Sequence, residues 1–182
     1  MILIINICNE KLHYYEFVRP VCDILKNNKL NYFVKNYKNV NENDLKIAEK
    51  VIICGASIYD NKFIEDKNLK YFKWILDLDK PILGVCGGMQ IIGKLFGGKL
   101  KKKTEIGYYK ENFNKNFFGL IGESEVYHLH NYYADFLKLK EFEIFNYGKI
   151  SQAIKHKKKE IYGVLFHPEV RNKEIIETFA KK

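Results

Sequence analysis

Pro81-Ile82-Leu83-Gly84-Val85-Cys86-Gly87-Gly88-Met89-Gln90 changes character at one residue. Up to Val85 it is a short apolar run introduced by proline, the pattern of a strand buried on both faces. After Cys86 come two glycines, then helical apolar spacing over residues 89–96, ended by Gly97-Gly98. A cysteine at this corner has the local order of a nucleophile elbow, here G-x-C-x-G. Gly84, Gly87 and Gly88 permit a tight, strained turn that would crowd larger side chains. The thiol would sit at a helix N-terminus, where unpaired N–H groups favour negative charge. The N–H of Gly87 could then point at an oxyanion forming on a group attacked by Cys86. The competing reading is an ordinary strand–turn–helix joint with a buried cysteine, and this stretch alone does not separate the two. A phosphate-binding loop fits less well, because both the G-x-G-x-x-G spacing and a Walker lysine are missing.

The same alternation extends toward the N-terminus. Residues 2–7 are a continuous apolar run, as in a central parallel strand. Tyr14, Phe17, Val18, Val21, Ile24 and Leu25 have helical spacing over residues 14–26, with Pro20 either kinking that helix or marking its first turn. Residues 31–37 read as a strand and 44–48 as a helical turn. A strand at 51–54 runs into Gly55-Ala56-Ser57. Residues 69–78 read as one amphipathic helix with Tyr71, Phe72, Trp74, Ile75 and Leu78 on its buried side. This order predicts an α/β fold built on a doubly wound parallel sheet. Beyond Gly98 the texture shifts to short strand-like pieces at 108–110, 125–129, 142–147, 152–155 and 161–166, which suggest hairpins or an antiparallel extension. A helix closes the chain at 174–180. With no linker or repeat in 182 residues, residues 1–182 are expected to form one domain.

Composition narrows the classes. There is no run of about 18 apolar residues, so no membrane span is expected. The apolar start lacks a basic n-region and a small-residue cleavage site, which argues for a cytoplasmic protein. The net charge of +9, from 31 Lys plus Arg against 22 Asp plus Glu, reads as a lysine-rich solvated surface. Its clusters, Lys99 to Lys103 and Lys155 to Lys159, do not alternate with aromatics, so a nucleic-acid partner is not expected. The second cluster looks like a hairpin tip. Cys8, Cys22, Cys54 and Cys86 form no C-x-x-C pair, so zinc and dithiol motifs are unsupported and no metal or cofactor is called for. Burial is the expected state of the first three cysteines.

A nucleophilic thiol needs a base and a group that orients the base. Five histidines are candidates. His156 lies in a lysine run and reads as exposed. His13 has no acidic residue beside it in sequence. His167 ends the strand-like run Tyr162-Gly163-Val164-Leu165-Phe166 and is followed by Pro168 and Glu169. Pro168 restricts the backbone between the two, so the Glu169 carboxylate can turn back and accept from the His167 ring.

Gly84-Val85-Cys86-Gly87-Gly88-Met89-Gln90 together with Phe166-His167-Pro168-Glu169-Val170 resembles the class I glutamine amidotransferases, and the likeness covers nearly the whole chain. It implies a flavodoxin-like α/β domain with a small antiparallel extension. It also implies glutamine as substrate, with Cys86, His167 and Glu169 as catalytic residues and no cofactor. Gly87 and Ala56, or else Gly55, would supply oxyanion donors, and Gln90 would help hold the substrate. His128-Leu129-His130-Asn131-Tyr132 resembles the segment with which such proteins grip the substrate amino acid, which makes His130, Asn131 and Tyr132 candidate contacts. The chain departs from the family pattern at Ala56-Ser57, where Gly-Pro is usual, at Met89, where His is common, and at Asn9-Glu10-Lys11. The resemblance implies ammonia supply to a separate synthetase partner. The alternatives are a freestanding γ-glutamyl hydrolase and a non-catalytic regulatory homologue.

Overall fold

The computed structural model describes residues 1–182. Seven strands form one sheet. β1 (Ile2–Asn6), β2 (Tyr32–Asn36), β3 (Lys50–Ile53) and β4 (Ile82–Val85) are parallel, and β9 (Ile161–Val164) joins them in the same direction. β7 (Phe142–Ile144) and β8 (Ala153–His156) continue the sheet antiparallel, giving the order β2-β1-β3-β4-β9-β8-β7. The helices are α1 (Arg19–Asn27), α2 (Glu42–Ile47), α3 (Asp66–Leu69), α4 (Trp74–Asp77), α5 (Gly87–Leu95) and α6 (Glu174–Lys181). β5 (Leu100–Phe117) and β6 (Leu120–Ala134) form a separate two-stranded antiparallel ribbon. The expected α/β class, with its mostly parallel sheet and antiparallel extension, is the one observed.

The sheet centre is dry because its strands are apolar on both faces. Leu3, Ile4, Ile5, Val51, Ile52, Ile53, Ile82, Leu83, Val85, Ile161 and Val164 are fully buried. Burying each such side chain contributes roughly 1.5–3 kcal/mol. Pro20 lies in the first turn of α1, where its missing N–H costs nothing, and a π-helical turn at Tyr14–Val18 leads into it. α2 opens with a capping box between Asn41 and Asp44. Lysines close two helices. Lys80 Nζ donates to the carbonyls of Leu45, Lys46 and Ala48 at the end of α2, and Lys50 Nζ donates to those of Phe179 and Ala180 at the end of α6.

Four expectations need correction. The helix expected over 69–78 is broken into α3, a 3₁₀ turn at Lys70–Phe72 and α4, while Phe72 and Ile75 still face the core. Within this break the Trp74 indole donates to the carbonyl of Tyr71. The fragments expected at 108–110 and 125–129 belong to one long ribbon. Its two-residue turn places Phe118 and Gly119 at φ 49° and 100°, the positive pair that matches strand twist. β5 is mostly exposed, whereas β6 alternates, with Val126, His128 and His130 facing inward. His156 is buried rather than exposed, and its Nδ1 accepts the backbone N–H groups of Lys158 and Lys159 at the β8–β9 tip. His13 has an acidic neighbour after all, since Asp60 Oδ2 lies 3.5 Å from its Nδ1.

Candidate active site

β4 delivers Cys86 to the C-terminal end of the parallel strands, and α5 starts at the next residue. Cys86 has φ 45° and ψ −99°, a conformation that costs a non-glycine residue about 1–3 kcal/mol. Its backbone N–H is tied to Val164 O at 2.7 Å, and its carbonyl accepts from Gln90 N at 3.0 Å, so the corner is held from both sides. Glycine is needed around it for close packing. A methyl on Gly88 would lie 2.4 Å from the Ile53 carbonyl oxygen, and one on Gly84 would lie 2.6 Å from the Gly88 backbone.

His167 follows β9, the strand beside β4. Its N–H donates to Tyr127 O of β6 at 2.8 Å, and its Nδ1 meets Glu169 Oε1 at 2.7 Å. All three of Cys86, His167 and Glu169 are buried. A methyl on Gly55 would fall 2.5 Å from His167 Cε1 and 3.4 Å from Cys86 Cβ, so the absent side chain of Gly55 is the space in which thiol and imidazole approach. Burial opposes charge on His167. The Glu169 carboxylate and then the Cys86 sulfur overcome it, and they hold the imidazole well above its usual pKa. The other ring nitrogen, Nε2, is buried and bonded to no protein group. The Cys86 thiol reaches the carbonyl of Leu129 at 3.7 Å.

Burial, reinforced by Asp60, pushes the Cys8 thiol up to about 12, and burial raises Cys54 and Cys22 as well. All four are free thiols.

Beside Cys86 lies a narrow cleft lined in part by Ala56, Ser57, Asn61, Phe63, Gly87 and Gln90, with about 10 Å³ open, roughly the room of one water. The N–H groups of Ala56 and Gly87 are given to no protein acceptor. Of the expected substrate contacts, Gln90, His130 and Asn131 line the cleft and Tyr132 does not. The Tyr132 carbonyl instead accepts from Gln90 Nε2 at 2.7 Å and so orients that amide. Asn131 Nδ2 donates to the Ile58 carbonyl, pinning the ribbon to the loop after β3. The residues read as a gripping loop are part of β6, and both His130 ring nitrogens face groups of the ribbon. Burial and then His128 drive His130 down to about 3, so this ring is neutral. Asn61 and Phe63 were not anticipated, because they follow an irregular loop with no periodic signal.

The molecule is thus an α/β sheet protein with a thiol at a strained strand–helix corner, beside an imidazole held by a carboxylate and near two free N–H groups, an arrangement whose geometry suits nucleophilic chemistry. The class-I glutamine amidotransferase family model matches residues 13–181, and the chain belongs to that family. It is 33% identical over 156 residues to GMP synthase [glutamine-hydrolyzing] of Staphylococcus epidermidis, and 38% identical over 135 residues to that of Staphylococcus saprophyticus. Those stretches are 76% and 68% of this chain, but the chain spans only 29% and 25% of the two relatives. The fold is shared with a crystal structure assigned to a GMP synthase subunit of Thermoplasma acidophilum. There the TM-score is 0.83 at 24% identity, over 99% of this chain and 92% of that one. It is also shared with a glutamine amidotransferase of Thermotoga maritima, with a TM-score of 0.71 at 21% identity, over 99% and 82%.

Proposed function

We propose that residues 1–182 act as one amidotransferase domain that hydrolyses glutamine to glutamate and ammonia and passes the ammonia to a separate synthetase subunit. One observation carries this reading: the Cys86 elbow and the His167–Glu169 pair, far apart in sequence, meet around Gly55. The Cys86 sulfur attacks the side-chain amide carbon of glutamine, and the oxygen, now negative, is held by the N–H groups of Gly87 and Ala56. The carbon–nitrogen bond breaks, and a proton from His167 goes to the departing ammonia. Water then attacks the γ-glutamyl thioester, giving its proton to His167, and glutamate leaves as the sulfur is freed. Glu169 stabilises the imidazolium in both steps. Gln90 and Asn131, which line the cleft beside Cys86, would contact the amino-acid part of the substrate.

The names of the relatives support a GMP synthetase as the consumer of ammonia. The tight cleft supports a role for the partner in opening the site. The isolated chain is expected to hydrolyse glutamine slowly. Adding the ATP-pyrophosphatase subunit of GMP synthetase with its nucleotide substrates should raise the rate about tenfold or more, a shift of about 1.4 kcal/mol. Ammonia release measured with and without that protein tests this, and a rate that ignores the partner would count against delivery to it. Glu169→Gln keeps the shape but cannot stabilise the imidazolium. It is expected to lower kcat on the order of 10²-fold, and steady-state kinetics showing near wild-type kcat would remove Glu169 from the mechanism.

A further inference from the structure

The ribbon gathers three buried groups that the glutaminase chemistry leaves unused. His128 and His130 are two apart on β6 and so share a face. Glu105 pairs directly opposite His130, placed there by a register shift between Lys102 and Glu105. For neutral rings, the hydrogen-bond partners dictate one pair of tautomers. His130 Nδ1 lies 3.2 Å from the Lys103 carbonyl, which can only accept, so Nδ1 carries the proton. His128 Nε2 lies 3.3 Å from Glu111 Oε1, so that nitrogen carries the proton. The remaining nitrogens, His130 Nε2 and His128 Nδ1, face each other at 3.2 Å, and in those tautomers both present lone pairs. Glu105 Oε2 is 3.2 Å from His130 Nε2 and has no hydrogen-bond donor. Its other oxygen meets Lys103 Nζ only at 4.0 Å. Three electron-pair donors thus converge, all within 4.8 Å of one another. Left alone they repel, and a buried carboxylate short of partners is costly.

We propose that Glu105 Oε2, His128 Nδ1 and His130 Nε2 bind one divalent metal ion of the zinc class. Ligands about 2.0–2.1 Å from a tetrahedral ion stand about 3.3 Å apart, which matches the two 3.2 Å separations. Two imidazoles with one carboxylate suit zinc rather than magnesium or calcium, which prefer all-oxygen shells. Each histidine has the outer partner that metal-bound histidines use, Glu111 for His128 and the Lys103 carbonyl for His130. The site also touches the catalytic region through β6. The carbonyls of Tyr127 and Leu129 contact His167 and Cys86, and His128 and His130 are the residues that follow each. The ion would therefore stiffen the wall of the cleft.

The test uses the full chain, stripped with a chelator and titrated with Zn²⁺ against a chromophoric competitor, then with Co²⁺. Binding should saturate at one ion per chain. The Co²⁺ spectrum should show ligand-field bands without thiolate charge transfer, and Cys86→Ala should leave both unchanged. Glu111→Gln should weaken Zn²⁺ binding roughly 10–100-fold. Glu105→Gln, nearly isosteric, and His128→Ala should weaken it further. Absence of saturable binding, a thiolate band, loss of binding in Cys86→Ala, or full affinity in Glu105→Gln would each overturn the proposal. None of these readouts depends on glutamine turnover, so the result stands apart from the glutaminase reading.

Discussion

Cys86→Ala is expected to reduce glutamine hydrolysis by at least about 10⁴-fold, because removing a nucleophile removes the covalent path and leaves only binding and the oxyanion donors. The substitution deletes one buried sulfur and keeps the backbone held by Val164 and Gln90, so circular dichroism and the melting temperature should change little. Cys22→Ala supplies the comparison. That thiol is buried in α1, outside the cleft beside Cys86, and its pKa is raised by burial, so turnover should stay close to wild type. The same contrast should appear in covalent chemistry: a glutamine-analogue electrophile labels the wild-type chain once, and the labelled peptide contains Cys86. Labelling of Cys8, Cys22 or Cys54 at equal rates, or turnover surviving in Cys86→Ala, would refute the assignment of the nucleophile.

Gly88→Ala is expected to have the largest effect on stability. The added methyl meets a backbone carbonyl of β3 at 2.4 Å and Ile53 Cβ at 2.9 Å, and neither can rotate away. Either α5 lifts from the sheet or β3 bends. Overpacking of this kind costs about 3 kcal/mol or more, against a total stability of roughly 5–15 kcal/mol. For a chain of this size that lowers Tm by about 6–12 °C. Gly97→Ala is the control, because nothing lies within 4 Å of its missing side chain and only its positive φ is penalised, by roughly 1 kcal/mol. Thermal and urea melts of the two variants decide the matter. Equal, small shifts would mean that the helix–sheet contact is softer than its geometry implies.

The parts of this protein that could be read from its residues are those where one physical demand acts alone. β1, β3 and β4 are buried on both faces, so their apolar runs are unbroken and their place in a parallel sheet follows. The corner at Cys86 is readable because glycines between an apolar run and helical spacing mark a tight strand-to-helix turn, and the positive φ of Cys86 is that turn. In His167-Pro168-Glu169 the readable part is local: the carboxylate turns back onto the ring two residues away. Legibility fails where two demands compete. In the ribbon, β5 exposes most of its residues, and its lysines at 101–103 fall on both faces and blur any alternation. His156 sits among lysines, yet its ring is pulled inward as an acceptor for two turn N–H groups. The Glu105–His128–His130 cluster depends on a register shift that no periodicity announces. The cleft likewise depends on Asn61 and Phe63, which irregular backbone brings to Cys86.

The lysines that end α2 and α6 give the excess of positive charge a further meaning. Part of what looks like an electrostatic coat is fastening, with ammonium groups spent on helix-end carbonyls that have no partner within their own helix. Acylating the amines of this protein would therefore do more than change its migration in a field. It would unlatch two helices at their final turns, one of them carried by the last residues of the chain.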